Sequence, residues 1–202
     1  MTFEREIANV YRLKVPFDNI YTSVFLIQTE NGNVLVDCAT YASDVDDYIA
    51  PALSRFGLKW TDIRYLIITH RHSDHAGGKD RILEYAPHLE VVQSVQPISI
   101  KGITICALKG HTPDCIGVFD ERTETLISGD GLQGNGVGKY RCSLKSKEDY
   151  LSTIENLEEN ERIKNILFSH AYEPWKRCGA FGREEVERVL KDCKEIVIKG
   201  EM

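Results

Sequence analysis

The chain has 202 residues, of which 42% are hydrophobic and 28% charged, and its formal net charge is −6 at pH 7. This composition is typical of a single globular domain over residues 1–202 and excludes a disordered tail or a fibre. The acidic balance argues against a nucleic-acid binder, and no apolar run approaches the roughly 18 residues of a membrane span. We therefore expect a cytoplasmic protein with a small-molecule substrate and without a membrane partner, since no signal peptide is recognisable.

The amino-terminal part of the chain is predicted to be rich in strands. An edge strand is expected from about Glu6 to Val15, and a second strand over Ile20–Thr29, which is rich in β-branched and aromatic residues. The dipeptide Asn31-Gly32 accepts the positive φ of a tight turn. It predicts a hairpin in which Val34–Val36 is the returning strand.

A helix and a buried strand are expected next. Ser43 is a suitable cap for a helix that runs to about Phe56, and Pro51 should kink or split that helix. The continuous apolar run from Arg64 to Thr69 predicts a buried strand. A second helix is expected over Lys79–Tyr85.

The same order of strands and helices recurs in the second part of the chain. The predicted strands are Glu90–Val92, Ile103–Leu108, Ile116–Asp120, Thr125–Ser128 and Ile163–Phe168. Apolar residues at helical spacing predict helices over Ser146–Glu159 and Arg183–Glu195. Segment 131–146 contains too many glycines for a regular element and is expected to be a mobile loop. This order favours two similar β-rich halves, each covered by helices on its outer face.

Three of the six histidines lie in one short segment, Thr69–Gly78, directly after the buried strand. His70 and His72 point to one side in an extended chain, whereas a following turn lets Asp74 and His75 face a second point nearby. Imidazole nitrogens and carboxylate oxygens are the ligands that zinc takes in catalytic sites. The segment therefore predicts two neighbouring metal positions.

Three further candidate ligands, His111, Asp130 and His170, each follow a predicted strand. If these strands end at one rim, the side chains converge there. The expected ligand sets are His70, His72 and His111 for one ion, and Asp74, His75 and His170 for the other. Asp130 has two carboxylate oxygens and would bridge the ions. We expect two divalent ions, zinc first and iron or manganese as alternatives, with open positions for water.

The order of these motifs resembles the metallo-β-lactamase-fold hydrolase superfamily, the broad group that includes glyoxalase II. The shared signature is Thr-His-x-His-x-Asp-His-x-Gly-Gly at 69–78, Gly-His-Thr-Pro at 110–113, Ser-Gly-Asp at 128–130 and the late His170. The resemblance covers about Val10 to His170. It implies an α/β fold, an αββα four-layer sandwich, with a binuclear site at the edge of the two sheets.

Departures from the family pattern narrow the expected activity. The true β-lactamases usually place a Cys where this chain has Asp130 and lack a ligand like His75, which argues against antibiotic hydrolysis. The stretch after His170 is too short for the helical glutathione-binding domain of glyoxalase II. Family members often carry Asp-x-Gly where this chain has Asp37 and Ala39. Asp37 is expected to hydrogen-bond the histidine segment and orient it.

The resemblance and the ligand set predict a metal-dependent hydrolase, in which a metal-bridged hydroxide attacks the carbonyl of a thioester, lactone or ester. Asp74 would ligate one ion, orient the hydroxide and carry its proton to the leaving group. Three alternatives stay open. They are a mononuclear iron dioxygenase acting on a sulfur species, a metal-dependent phosphodiesterase or nuclease, and a non-catalytic metal-binding protein.

Substrate contacts are predicted from proximity along the chain. Lys139 and Tyr140 lie in the loop after Asp130 and would receive an anionic group of the substrate. Tyr172, two residues after His170, would reach the same site.

Overall fold

The computed structural model describes residues 1–133, 144–171 and 177–199. The chain divides into two compact units, the first comprising Met1–Gln93 with Ile98–Lys101 and the second Ser94–Pro97 with Gly102–Met202. In the described part of the chain each unit has one sheet and its own cluster of buried hydrophobic residues. The two β-rich halves expected from the order of elements correspond to these units, except that the strand Glu90–Val92, expected in the second half, belongs to the first unit.

The first unit is built on a six-stranded sheet whose strands are neighbours in chain order. The strands are β1 (Glu4–Ile7), β2 (Val10–Phe17), β3 (Ile20–Ile27), β4 (Asn33–Val36), β5 (Ile63–Ile67) and β6 (Glu90–Val92). Neighbours from β1 to β4 are antiparallel, whereas β4, β5 and β6 are parallel. The parallel part brings the ends of β4 and β5 to the same edge of the sheet.

The single edge strand predicted over Glu6–Val15 is wrong, because the chain forms two strands there. It reverses at Ala8 and Asn9, and Ile7 pairs with Val10. Ala8 adopts a φ of 34°, which residues with a Cβ rarely adopt. Alanine is not a residue typical of turns, so the sequence did not indicate this reversal. The hairpin predicted at Asn31-Gly32 is confirmed, and Gly32 has a φ of 107°.

The predicted helix with a proline inside it is present, but Ser43 lies within it and Tyr41 is its N-cap. The pitch of the helix changes along its length. It comprises α1 (Ala42–Asp44), a π-helical turn (Val45–Ile49) and α2 (Ala50–Arg55). Pro51 lies in the first turn of α2. Because proline has no N–H to donate to the preceding turn, the helix widens ahead of it instead of breaking.

Two short helices follow β5, the first within the histidine segment 69–78 and the second directly after it. They are α3 (Ser73–Ala76), which the sequence did not indicate, and α4 (Lys79–Tyr85), which has the predicted bounds. The core of this unit packs apolar residues of the strands with apolar residues of the helices, among them Leu13, Val24, Leu26, Leu35, Leu66, Val45, Ile49, Leu53 and Ile82.

The second unit has five described strands in the spatial order β11-β10-β9-β8-β7. Their bounds are β7 (Ile103–Ala107), β8 (Ile116–Asp120), β9 (Thr125–Ile127), β10 (Asn165–Leu167) and β11 (Gly179–Phe181). The pair β9 and β10 is parallel, and the other neighbours are antiparallel. Strand β11 was not predicted, because three residues that begin with glycine have no periodic pattern.

Two amphipathic helices complete the second unit, α5 (Lys147–Glu159) and α6 (Arg183–Lys199). Ser146 caps α5, since its hydroxyl accepts a hydrogen bond from the Asp149 N–H at 3.1 Å. The buried faces of the two helices meet in one core that includes Tyr150, Ile154, Leu157, Val186, Val189, Leu190 and Cys193. Most of the predicted loop 131–146 lies outside the described residues. No described helix is both long and apolar enough to cross a bilayer.

The connection between β4 and α1 contains two residues in the left-handed region. Asp37 has a φ of 62° and Ala39 a φ of 60°. A Cβ in this conformation approaches the following carbonyl oxygen, and only glycine adopts it freely. Ala39 therefore occupies a backbone position suited to glycine, the residue expected there from the family resemblance.

The substitution Ala39→Gly is expected to raise the free energy of unfolding by up to about 1 kcal/mol. The left-handed conformation costs alanine about 1–2 kcal/mol, and the extra entropy of unfolded glycine offsets part of the gain. Urea denaturation measures the difference. Ala52→Gly, in the interior of α2, is the matched control and should lower stability by about 1 kcal/mol. A fall for both variants would contradict the interpretation.

Candidate metal centre

The histidine segment leaves β5 in an extended conformation and then turns into α3. His72 has a φ of −64° and a ψ of 149° and immediately precedes that helix. With this backbone, His70 Nε2 lies 3.0 Å from His72 Nδ1, and the two rings are 4.6 Å apart. His70 is buried, whereas His72 is exposed. The segment therefore presents two imidazole nitrogens at one point.

The first turn of α3 presents a second pair of donors. Asp74 Oδ2 lies 3.4 Å from His75 Nε2. His75 is fully buried and Asp74 is half-buried. The turn expected after His72 is therefore the helix α3. It brings the donor atoms of Asp74 and His75 together as a pair that follows His70 and His72 along the chain.

Asp37, at the end of β4, is a fully buried carboxylate that contacts this segment. Its Oδ1 accepts a hydrogen bond from the Thr69 N–H at 2.7 Å, and its Oδ2 accepts one from the Thr69 hydroxyl at 2.9 Å. His75 Nδ1 lies 2.7 Å from Asp37 Oδ2. An Nδ1–H that donates to Asp37 leaves Nε2 of His75 as the metal-binding nitrogen.

Three donors of the second unit follow strands β7, β9 and β10. His111 Nε2 lies 3.8 Å from Asp130 Oδ2, and His170 Nε2 lies 3.3 Å from Asp130 Oδ1. All three side chains are buried. Asp130 therefore presents one carboxylate oxygen to each histidine.

Local packing in the second unit explains these positions. Strands β9 and β10 are parallel neighbours, so the residues after them emerge at the same edge, and the Ser128 N–H donates to the Leu167 carbonyl at 3.0 Å. Gly110, before His111, has a φ of 137°, and a Cβ built on it would lie 2.5 Å from Tyr150 Cβ. Helix α5 thus packs directly beneath the backbone that carries His111.

The donor atoms within each unit fit a metal ion. In a tetrahedral zinc site with Zn–N distances of about 2.0–2.1 Å, neighbouring ligand atoms lie about 3.3 Å apart. The pairs His70–His72, Asp74–His75 and Asp130–His170 lie 3.0, 3.4 and 3.3 Å apart. Buried carboxylates and imidazoles require a cation or hydrogen bonds to offset lost hydration. These histidine and aspartate groups are able to bind metal.

Sequence reasoning missed two threonines that hold the histidine segment. The Thr69 hydroxyl lies 3.3 Å from His70 Nδ1 and 3.4 Å from His75 Nδ1, besides donating to Asp37. The Thr22 hydroxyl on β3 donates to the carbonyl of Asp74 at 2.9 Å. Thr69 is the first residue of the 69–78 motif, so its role could have been predicted from the sequence. The contact of Thr22 with Asp74 depends on the tertiary fold alone.

The proposed substrate contacts Lys139, Tyr140 and Tyr172 lie outside the described residues. Cys115 is described and buried, and its sulfur lies 3.1 Å from the Thr112 hydroxyl oxygen. Burial raises the pKa of the Cys115 thiol to about 11, although the contact with Thr112 opposes the shift. Cys115 is therefore a packed, protonated thiol at neutral pH.

Comparisons with known sequences agree with these observations. Residues 18–96 match the family model of the metallo-beta-lactamase superfamily. The chain is 26% identical over 165 residues to the beta-lactamase-like protein 2 homolog of Caenorhabditis elegans, covering 71% of this chain and 54% of that protein. It is 25% identical over 149 residues to an atrochrysone carboxyl ACP thioesterase of Pseudocercospora fijiensis, covering 63% and 44%. The chain spans about half the length of the curated relatives it matches.

Solved structures show the same fold. A metallo-beta-lactamase from Erythrobacter litoralis superposes with a TM-score of 0.72 at 18% identity, over 96% of each chain. The metallo-beta-lactamase FIM-1 from Pseudomonas aeruginosa, in its mono-zinc form, gives 0.75 at 15% identity, over 100% of this chain and 96% of that one. The chain therefore has the metallo-β-lactamase fold, and its residues 18–96 match the model of that superfamily. The fold class predicted from the sequence is confirmed.

Replacing Asp37 by Ala is expected to weaken metal binding by about 10- to 100-fold, because His75 and Thr69 lose the acceptor that orients them. Isothermal titration of metal-free protein with Zn²⁺ measures the change. Asp62→Ala, an exposed carboxylate elsewhere in the same unit, is the control. Unchanged zinc affinity in Asp37→Ala would contradict the orienting role.

Alkylation should report the state of Cys115. With a pKa of about 11, only about one thiol in a thousand is a thiolate at pH 8, and the thiolate is the nucleophile. We expect slow iodoacetamide labelling of Cys115 at pH 8, and a rate that rises as the pH approaches 11. Peptide mass spectrometry follows the site, and urea-unfolded protein is the control. Labelling at pH 8 as fast as in urea would argue against a buried thiol.

Proposed function

We propose that the protein is a binuclear metal-dependent hydrolase that acts on the carbonyl of a small-molecule thioester, ester or lactone. The arrangement of Asp130 carries the proposal, because one of its oxygens faces His111 and the other faces His170. A carboxylate that shares its two oxygens between two histidines is suited to bridge two ions. In this proposal residues 1–202 act as one catalytic domain.

The ligand assignment follows the pairs seen within each unit. His70 and His72 form one pair and Asp74 and His75 the other. The proposed ligands are His70, His72 and His111 for the first ion, and Asp74, His75, His170 for the second, with Asp130 shared. Zinc is the first choice, because imidazole and carboxylate donors with open positions are typical of catalytic zinc, and iron or manganese would also suit this set.

Bound ions of this kind would lower the pKa of a water molecule and polarise the substrate carbonyl. Asp74 is partly exposed, so its carboxylate would be able to contact that water as well as the second ion. It would orient the water for attack on the carbonyl carbon and receive its proton. The proton would then pass to the leaving thiolate or alkoxide as the bond from the carbonyl carbon to sulfur or oxygen breaks.

A thioester is the favoured substrate class within this proposal. One curated relative is named as an atrochrysone carboxyl ACP thioesterase, at 25% identity. Asp130 stands where the true β-lactamases usually have Cys, which argues against antibiotics as substrates. Lys139, Tyr140 and Tyr172 remain proposed contacts for an anionic part of the substrate, and Asp37 remains the proposed orienting carboxylate.

Metal content combined with a substrate panel tests the proposal as a whole. We expect two zinc ions for each chain and hydrolysis of acyl thioesters, esters or lactones that chelation abolishes and added Zn²⁺ restores. One iron for each chain with oxygen consumption would instead support a sulfur dioxygenase. Activity on bis-p-nitrophenyl phosphate far above that on thioesters would support a phosphodiesterase. Absence of both metal and activity would favour a non-catalytic protein.

Substitutions at the donors test the assigned roles. Asp74→Asn and His72→Ala are each expected to lower kcat by at least about 100-fold while the protein stays folded, since each removes a ligand or the proton carrier. Steady-state kinetics, circular dichroism and metal analysis follow the variants. His88→Ala alters an exposed histidine near the Ile63 carbonyl and should retain activity. Normal turnover and metal content in either ligand variant would contradict the assignment.

A further inference from the structure

The position of α3, which carries Asp74 and His75, depends on the loop of residues 37–41. The Cys38 N–H donates to the carbonyl of His75 at 2.9 Å, and the Gly77 N–H donates to the carbonyl of Ala39 at 3.0 Å. These bonds join the middle of the 37–41 loop to the C-terminal end of α3. A shift of the loop would therefore move α3 with it.

Close packing strengthens this link. A Cβ built on Gly77 would lie 1.8 Å from the Thr40 carbonyl oxygen, and one built on Gly78 would lie 2.2 Å from the Cys38 carbonyl oxygen. The backbones are thus in direct contact, with no side chain between them. Such a contact transmits small displacements, because close-packed atoms have no free volume to absorb them.

One buried carboxylate holds the far end of the 37–41 loop. Asp44, in α1, is 7% exposed. Its Oδ2 accepts hydrogen bonds from the Thr40 N–H at 3.0 Å and from the Tyr41 N–H at 2.9 Å. The loop needs such an anchor, since Asp37 and Ala39 hold the disfavoured left-handed conformation.

We infer that Asp44 is a positioning residue for the second metal ion: its carboxylate fixes the 37–41 loop, and the loop fixes Asp74 and His75. The inference rests on the proposed function in one respect, that Asp74 and His75 bind that ion. His70 precedes α3 and its ring contacts Thr69, so the first ion depends less on Asp44. Asp37, which anchors Thr69 beside His70, is itself held at the strand end, where its N–H donates to the Ile67 carbonyl at 2.8 Å.

Asp44 also serves as a helix cap, and a cap alone would affect only stability. The positioning role makes a different prediction, namely a selective loss of the second ion. A matched series separates the two roles. Asp44→Ala removes the acceptor. Asp44→Asn keeps one oxygen, and one oxygen suffices because both amides bond to Oδ2. Asp47→Ala changes an exposed carboxylate three residues further along the same helical stretch.

The experiment is a calorimetric titration of each metal-free, full-length variant with Zn²⁺, together with its thermal unfolding. We expect two binding events in the unsubstituted protein. Asp44→Ala should weaken the second event by about tenfold or more and the first by less than about threefold, in line with effects of residues that orient ligands. Asp44→Asn should restore the second affinity to within about threefold, and Asp47→Ala should bind as the unsubstituted protein does.

Each outcome decides between the interpretations. If Asp44→Ala loses thermal stability but binds both ions with unchanged affinity, Asp44 is only a cap and the inference is wrong. Equal weakening of both events would also overturn it. If the unsubstituted protein itself binds fewer than two ions, the proposed function fails instead. Should Asp44→Ala not fold, Asp44→Ser, whose side chain is too short to reach both amides, is expected to show the same selective loss.

Discussion

The carboxylate of Asp37 organises the candidate metal centre of the first unit. It is fully buried and contacts three donors, the N–H and hydroxyl of Thr69 and Nδ1 of His75. A buried carboxylate without such partners would be strongly destabilising, so the chain around it has little freedom to rearrange. These bonds join the end of β4 to both ends of the segment that carries the four candidate ligands.

In the second unit, strand pairing and helix packing, and not a buried carboxylate, position the candidate ligands. Parallel pairing of β9 and β10 brings Asp130 and His170 to one edge, and the packing of Tyr150 against Gly110 supports the backbone before His111. Strands and a helix thus support the backbone at each of these donors, and such a rigid support keeps the positions of the side chains well defined. In the first unit, buried His70 and His75 lie beside exposed His72 and partly exposed Asp74, so water can reach part of that donor cluster.

Much of the fold could be predicted from local patterns. The bounds of α4, β6 and β8 were predicted correctly. The reversal at Ala8 was not, because its positive φ is imposed by pairing of β1 with β2 and not by its own preference. Helix α3 was too short to show a period, and a π-helical turn precedes Pro51, where a kink or a split was expected.

The sequence by itself determined which residues are candidate metal ligands, because imidazole and carboxylate groups at the ends of buried strands have few other uses together. It also indicated the family, from motifs far apart along the chain. Only the tertiary structure decided that one oxygen of Asp130 faces His111 and the other His170. It likewise decided that Thr22 contacts Asp74 and that Asp44 anchors the loop beside α3. Such contacts join residues distant in sequence, and their geometry depends on strand pairing and close packing that no local pattern encodes.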